Sequence, residues 1–132
     1  MTGYSDRDTK HCPGVSGNIK DMSRAYIELK LLSIGLPPAY KGFRYIVDAI
    51  FILSDTTWNC DKVMVLYDKI AKINGSTCKK VEKDIRYILD LSRRNGNSET
   101  KQYLGCEYPQ TKNTLYRLCS MIEQDYSKGG EE

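Results

Sequence analysis

Four charged side chains at helical spacing are the part of this sequence best suited to chemistry. They occupy positions i, i+3, i+4 and i+7, and therefore share one face of a helix: Lys79, Glu82, Lys83 and Arg86. The planar fork of an arginine matches the O6 and N7 acceptors of guanine, and a glutamate can accept from the exocyclic amine of cytosine. The set predicts contacts to base edges in the major groove of DNA.

Polar and basic side chains around the same helix predict contacts to phosphate. Ser76 and Thr77 stand at its start, where hydroxyl and backbone N–H groups can donate to a phosphate. Three cations lie off the base-facing side: Lys80, Arg93 and Arg94. Residues 60–94 carry a net charge of +4 while the whole chain carries +3, so the basic excess is concentrated here, as expected for an acidic partner.

The same residues also fit an ordinary solvent-exposed helix face. Lys79 with Lys83, and Glu82 with Arg86, are i,i+4 pairs of the kind that amphipathic helices commonly carry on their polar side. Periodicity and charge therefore leave two interpretations open, a DNA-binding surface and a solvated face.

Apolar residues recur with a helical period almost throughout the chain, and no stretch shows sustained period-two alternation. We predict an all-α fold, a compact bundle of about six helices. The first four span about 19–33 with Asn18 as N-cap, 40–54, 63–73 and 77–94. A short helix then runs from Asn97 or Ser98 to Leu104, and a last helix follows Pro109 and Asn113.

The third and fourth predicted helices have the arrangement of a helix-turn-helix. The turn at 74–77 contains Gly75, and the longer second helix would enter the major groove. Its inward stripe is expected to contain Cys78, Val81, Ile85, Ile88 or Leu89, and Ser92. The embedded helix-turn-helix is thus the element that positions the charged set.

Composition excludes several other classes of protein. The single histidine is His11, the five cysteines have no paired spacing, and no phosphate-binding glycine loop occurs, so we predict no enzyme, no metal site and no cofactor. No apolar stretch is long enough for a membrane span, and the polar start lacks a leader, which predicts a cytoplasmic, nucleoid-associated protein. We expect a flexible tail at 1–17, a helical domain at 18–127 and a disordered tail at 128–132.

The sequence resembles the C-terminal DNA-binding effector domain of the sporulation-initiation response regulator family. The resemblance covers about residues 24–126 and keeps its order along the chain. It is carried by IGLP at 34–37, KGF at 41–43 with Tyr45, DAI at 48–50, LYD at 66–68 with IAK at 70–72, VEK at 81–83, IR at 85–86 and SRRNGN at 92–97.

This resemblance implies a six-helix domain that binds tandem short DNA boxes with a TCGA-like centre, head to tail, and switches transcription. Glu82 and Arg86 match positions that the family uses to read bases. Lys83 stands where the family usually has arginine, Tyr87 where it has histidine, and Asp84 where it has a small residue. Because a single module of this size binds weakly, we expect a homodimer on double-stranded DNA.

The family's full-length members carry a receiver domain, and about 18 residues before the first helix leave no room for one. We therefore expect either a stand-alone effector domain or an excised fragment. The alternative function is a protein-interaction module that pairs with a full-length response regulator through the last two helices instead of binding DNA. RNA polymerase is a further possible partner.

Overall fold

The structure is a computed structural model that describes residues 22–55, 62–105 and 110–130. These residues form six α-helices and no strand, which confirms the all-α prediction. The helices are α1 (Arg24–Ser33), α2 (Lys41–Leu53), α3 (Val63–Asn74), α4 (Cys78–Asn95), α5 (Ser98–Leu104) and α6 (Thr111–Gly130).

The most apolar helix, α2, lies at the centre and packs against α1, α3, α4 and α6. Nine of its thirteen residues are buried, as expected for a helix that is covered on most sides. Burying one large aliphatic side chain stabilises a fold by about 1.5–3 kcal/mol, so the isoleucines of α2 contribute strongly to the core. This core is the support on which the helix-turn-helix rests.

A close approach between α2 and α4 requires glycine at position 42. A Cβ atom there would lie 2.4 Å from the backbone oxygen of Asp84 and 2.8 Å from Cγ2 of Ile88. Real Cβ contacts are longer, so any side chain at Gly42 would push α4 away from α2. The start of α2 is thereby held directly against the middle of α4.

A buried carboxylate connects three helices near the turn before α4. Asp48 of α2 accepts hydrogen bonds from Nη1 of Arg24 in α1 and, at 2.8 Å, from Nδ2 of Asn74 at the end of α3. The same Asn74 amide also donates to the Ile70 carbonyl at 2.9 Å. Since a buried charge is costly unless it is paired, this network fixes the end of α3 relative to α2.

The start of the first predicted helix differs from the structure. Helix α1 begins at Arg24, because Ser23 caps it by accepting from the Tyr26 N–H at 3.1 Å. The predicted start at residue 19 is therefore wrong, since Met22 and Ser23 are not helical, while Asn18 and the tail at 1–17 lie outside the described residues.

The last helix also differs from its prediction at both ends. It starts at Thr111, where the Thr114 N–H donates to the Gln110 carbonyl at 3.1 Å, and not after residue 113. It continues through Gly130, past residue 127, where the predicted domain ends. Residues 131–132 of the predicted C-terminal tail lie outside the described residues.

Candidate nucleic-acid interface

The turn between α3 and α4 is built from local backbone hydrogen bonds. Gly75 adopts the left-handed conformation with φ of 64°, which glycine accepts without steric cost, and the Ser76 N–H donates to the Ala71 carbonyl at 2.8 Å. Thr77 then caps α4, because its Oγ1 accepts from the Lys80 N–H at 3.2 Å. Two helices and a three-residue glycine turn confirm the predicted helix-turn-helix.

The inward face of α4 is the one predicted from its apolar spacing. Cys78 at its start is only partly buried, and the other members are buried: Val81, Ile85, Ile88, Leu89 and Ser92. The apolar members pack in the common core with α2 and α3. Because one side of a helix is thus covered, the opposite side of α4 is left facing solvent.

The solvent side of α4 brings most of the predicted side chains together. Lys79, Lys80, Lys83, Arg86 and Arg94 are exposed, Thr77 is exposed at the N-cap, and Ser76 and Glu82 are partly buried. Among the residues that the structure describes, the three lysines and Arg94 have no ion-pair partner. Their charges are therefore available to an anionic ligand.

Arg86 and Glu82 form an ion pair on this surface. Nη1 of Arg86 donates to Oε1 and Oε2 of Glu82 at 2.9 and 2.7 Å, and the two side chains are 53% and 31% exposed. Within the described part of the chain, Nε and Nη2 of Arg86 have no hydrogen-bond partner. The pair therefore leaves one donor edge of the guanidinium free, and a carboxylate has lone pairs for further donors.

The predicted phosphate contact of Arg93 is wrong. Its side chain is buried, and its donors form hydrogen bonds inside the fold. Nε donates to the Gly105 carbonyl at 3.3 Å, and Nη2 donates to the Leu104 carbonyl and to Oγ1 of Thr114 at 3.4 and 3.2 Å. Nη1 donates to Asp90 at 3.1 Å. Arg93 therefore joins α4 to the end of α5 and the start of α6, and it is not free to bind phosphate.

Tyr87 belongs to the exposed side of α4 and was absent from the predicted site. Its side chain is 50% exposed, and its ring centroid lies 5.7 Å from that of Tyr40, which is 41% exposed. Tyr87 follows Lys83 by four residues and precedes Arg94 by seven, so helical spacing alone places it on the same side. That spacing was the signal available in the sequence.

A surface groove of about 570 Å³ borders the Glu82 side of α4, between α3 and the start of α6. Tyr67 lies in its wall, and burial together with the negative charge of Glu82 raises the pKa of Tyr67 to about 12. The phenol is therefore neutral at physiological pH.

The part of the chain that the structure describes holds neither a cluster of metal-ligating side chains nor a membrane-spanning helix. Residues 22–55, 62–105 and 110–130 contain no group of three or more His, Cys, Asp or Glu side chains placed to hold a metal ion. None of the helices there is long and apolar enough to cross a membrane.

Comparison with protein families gives one match. The family described as the C terminal of the sporulation initiation factor Spo0A matches residues 27–125, three quarters of the chain, and so includes all of α2 to α5. No curated protein matches the chain.

Proposed function

Because the chain belongs to the family of Spo0A C-terminal domains, a family of DNA-binding transcription regulators and not of enzymes, we propose that α4 recognises a specific duplex sequence in the major groove. The observation that carries this proposal is the orientation of α4. Its apolar face is buried in the core, and the basic face opposite is exposed with lysines that have no ion-pair partner in the described chain.

The base-contacting set in this proposal is Lys79, Glu82, Lys83 and Arg86. Arg86 is the residue best suited to guanine, since Nε and Nη2 form a free donor edge while Glu82 holds Nη1. Glu82 can accept from cytosine with its remaining lone pairs. A well-formed contact of this kind contributes about 1–3 kcal/mol of discrimination against the wrong base.

The phosphate-contacting set is Ser76, Thr77, Lys80 and Arg94, without Arg93. The two hydroxyl residues stand at the N-terminus of α4, where backbone N–H groups and the helix dipole favour an anion. Lys80 and Arg94 are exposed on the flank of the helix. These contacts contribute affinity and salt dependence without carrying sequence information.

We propose further that two copies bind tandem boxes as a homodimer on DNA. One helical module buries only about 600–1,000 Å² of protein surface on duplex DNA, which limits its affinity. Two copies placed head to tail on adjacent boxes would add their contacts. The TCGA-like centre of the box comes from the family resemblance and supplies both guanine and cytosine for Arg86 and Glu82.

A titration against duplex DNA tests the proposal. The protein is titrated with a duplex that carries two TCGA-centred boxes and with a scrambled duplex, each at two salt concentrations. We expect binding to the boxes to be at least tenfold tighter, and both affinities to fall steeply with salt. As a matched control, Lys101→Gln removes one exposed charge on α5 and should leave both affinities unchanged.

Equal binding to both duplexes would contradict sequence recognition, and absence of binding to either would contradict DNA binding by this chain. The latter result would favour the alternative of a module that pairs with a full-length response regulator. Mixing the chain with such a regulator, followed by size-exclusion chromatography, would then test that pairing.

A further inference from the structure

We propose that the start of α2 forms a second DNA contact, in which Lys41 and Arg44 bind the phosphate backbone beside the groove that α4 enters. This inference rests on the proposed function, because it extends the footprint of the same duplex. It assigns a role to a surface that lies outside the helix-turn-helix.

The first observation is that the start of α2 adjoins the exposed side of α4. The Tyr40 ring, at the N-cap of α2, lies 5.7 Å from the Tyr87 ring of α4, and both are about half exposed. Two residues later, Gly42 allows the backbones of α2 and α4 to approach closely. Lys41, which stands between these two contacts, is therefore adjacent in space to the proposed interface.

The second observation is that the cations here are free. Lys41 and Arg44 are both exposed, and within the described residues neither forms an ion pair. By contrast, Arg24 nearby is committed to the buried Asp48. Two unpaired cations on one turn of a helix make a positive surface that an anionic partner would neutralise.

The third observation is a groove of about 670 Å³ that connects these cations to the helix-turn-helix. Lys41 and Arg44 line it together with Asn74, which immediately precedes the turn into α4. Glu28 also lines the groove and adds one negative charge, which is less than the two positive charges of Lys41 and Arg44. The positive surface is thus continuous with the turn that precedes the proposed recognition helix.

The dimensions of DNA explain why the backbone is the expected partner. The major groove is about 12 Å wide, and a helix with its side chains is about 10–12 Å across, so α4 alone fills it. The start of α2, which reaches the exposed side of α4 at Tyr87, would then lie over the edge of the groove, where the phosphates are. Lys41 and Arg44 would meet phosphate oxygens there and not bases, so their contribution should not depend on sequence.

The test compares a double variant, Lys41→Gln with Arg44→Gln, with the matched control Lys101→Gln with Lys128→Gln. The control removes the same charge from exposed positions on α5 and α6. We expect the first variant to bind boxed and scrambled duplexes about tenfold more weakly, with the ratio between them unchanged. Its slope of log affinity against log salt should be smaller by about 1.8, that is about 0.9 for each lost phosphate contact.

Four outcomes would overturn the inference. An unchanged salt slope in a variant that keeps its thermal unfolding midpoint would show that these cations do not touch DNA. A weaker affinity for the boxed duplex alone would show that they contact bases. If the unsubstituted chain binds no duplex, the proposed function and this inference both fail, whereas normal binding by the double variant removes only the inference.

Discussion

At the scale of single residues, the ion pair between Glu82 and Arg86 decides how α4 can present a guanidinium to DNA. Both side chains are partly exposed, and such surface pairs contribute only about 0.2–1 kcal/mol, so the pair can yield to a stronger partner. Its main consequence is geometric, because Nη1 is held while Nε and Nη2 remain available. The ion pair therefore orients Arg86 and leaves two of its nitrogens able to donate to DNA.

Replacing Arg86 by alanine should remove preference at one guanine. We expect a loss of about 1–3 kcal/mol in discrimination, roughly 5-fold to 150-fold, at that base pair only. The unfolding midpoint should not change, since the side chain is largely exposed. Titrations with duplexes that differ by single base pairs measure both effects, and an equal loss on boxed and scrambled DNA would contradict base contact by Arg86.

Glu82→Ala should not be additive with Arg86→Ala. If Glu82 orients Arg86, removing Glu82 should weaken DNA binding less when Arg86 is already absent. The coupling energy between the two substitutions should then exceed about 0.5 kcal/mol. A double-mutant cycle of binding free energies on boxed DNA measures this coupling. Fully additive losses at two different base pairs would show that Glu82 acts on DNA independently of Arg86.

At the scale of elements, the position of α4 depends on how closely α2 can approach it. Glycine inside a helix normally costs about 1 kcal/mol relative to alanine, so Gly42 is tolerated for a packing reason. The nearest obstacle to a Cβ atom is the Asp84 carbonyl, which is backbone and cannot rotate away. The α2–α4 contact therefore has little freedom to adjust.

Gly42→Ala should consequently destabilise the fold, although helix propensity alone would stabilise it. We expect the free energy of unfolding to fall by about 1–3 kcal/mol, because the added methyl group forces α4 outward. Urea unfolding followed by circular dichroism measures the change. A stabilised variant would mean that the two helices are not in close contact at this point.

At the scale of the whole molecule, a polar cluster joins the first helix to the last two. Asp125 of α6 accepts hydrogen bonds from the Tyr103 hydroxyl of α5 and, at 2.9 Å, from Nζ of Lys30 in α1. Burial alone would raise the pKa of Asp125, but the hydrogen bonds from Tyr103 and Lys30 outweigh it and hold that pKa below its ordinary value of 3.8. The Tyr26 and Tyr126 rings meet edge to face at 5.0 Å and join α1 to α6 as well.

The sign of this pKa shift predicts how stability depends on pH. A carboxyl group whose pKa is lower in the folded state stabilises the fold above its unfolded pKa and loses this effect as the pH falls through its folded pKa. Asp125→Asn should therefore lower the free energy of unfolding at pH 7, and its difference from the unsubstituted protein should shrink as the pH falls below 3.8 towards the folded pKa. Urea unfolding at pH 7 and pH 3 tests this, and a difference that is independent of pH would contradict it.

The sequence by itself determined the helices, the all-α class and the inward face of α4. These follow from local rules, since apolar side chains every three or four residues must share one side of a helix. The same spacing placed Lys79, Lys83 and Arg86 on the exposed side, and Tyr87 could have been found in this way. The match to a known family extended this local information to the class of partner.

Tertiary structure alone decided which cations of α4 are available. Arg93 and Arg94 are neighbours in sequence, yet Arg93 is buried because three of its acceptors lie on α5, on Gly105 directly after α5 and on α6, 11 to 21 positions further along the chain. Tyr87 likewise meets Tyr40, which comes from a distant helix. Apolar periodicity shows which side of a helix is buried, but it does not show which elements cover that side. Those elements are held in place by contacts between residues that are far apart in the sequence.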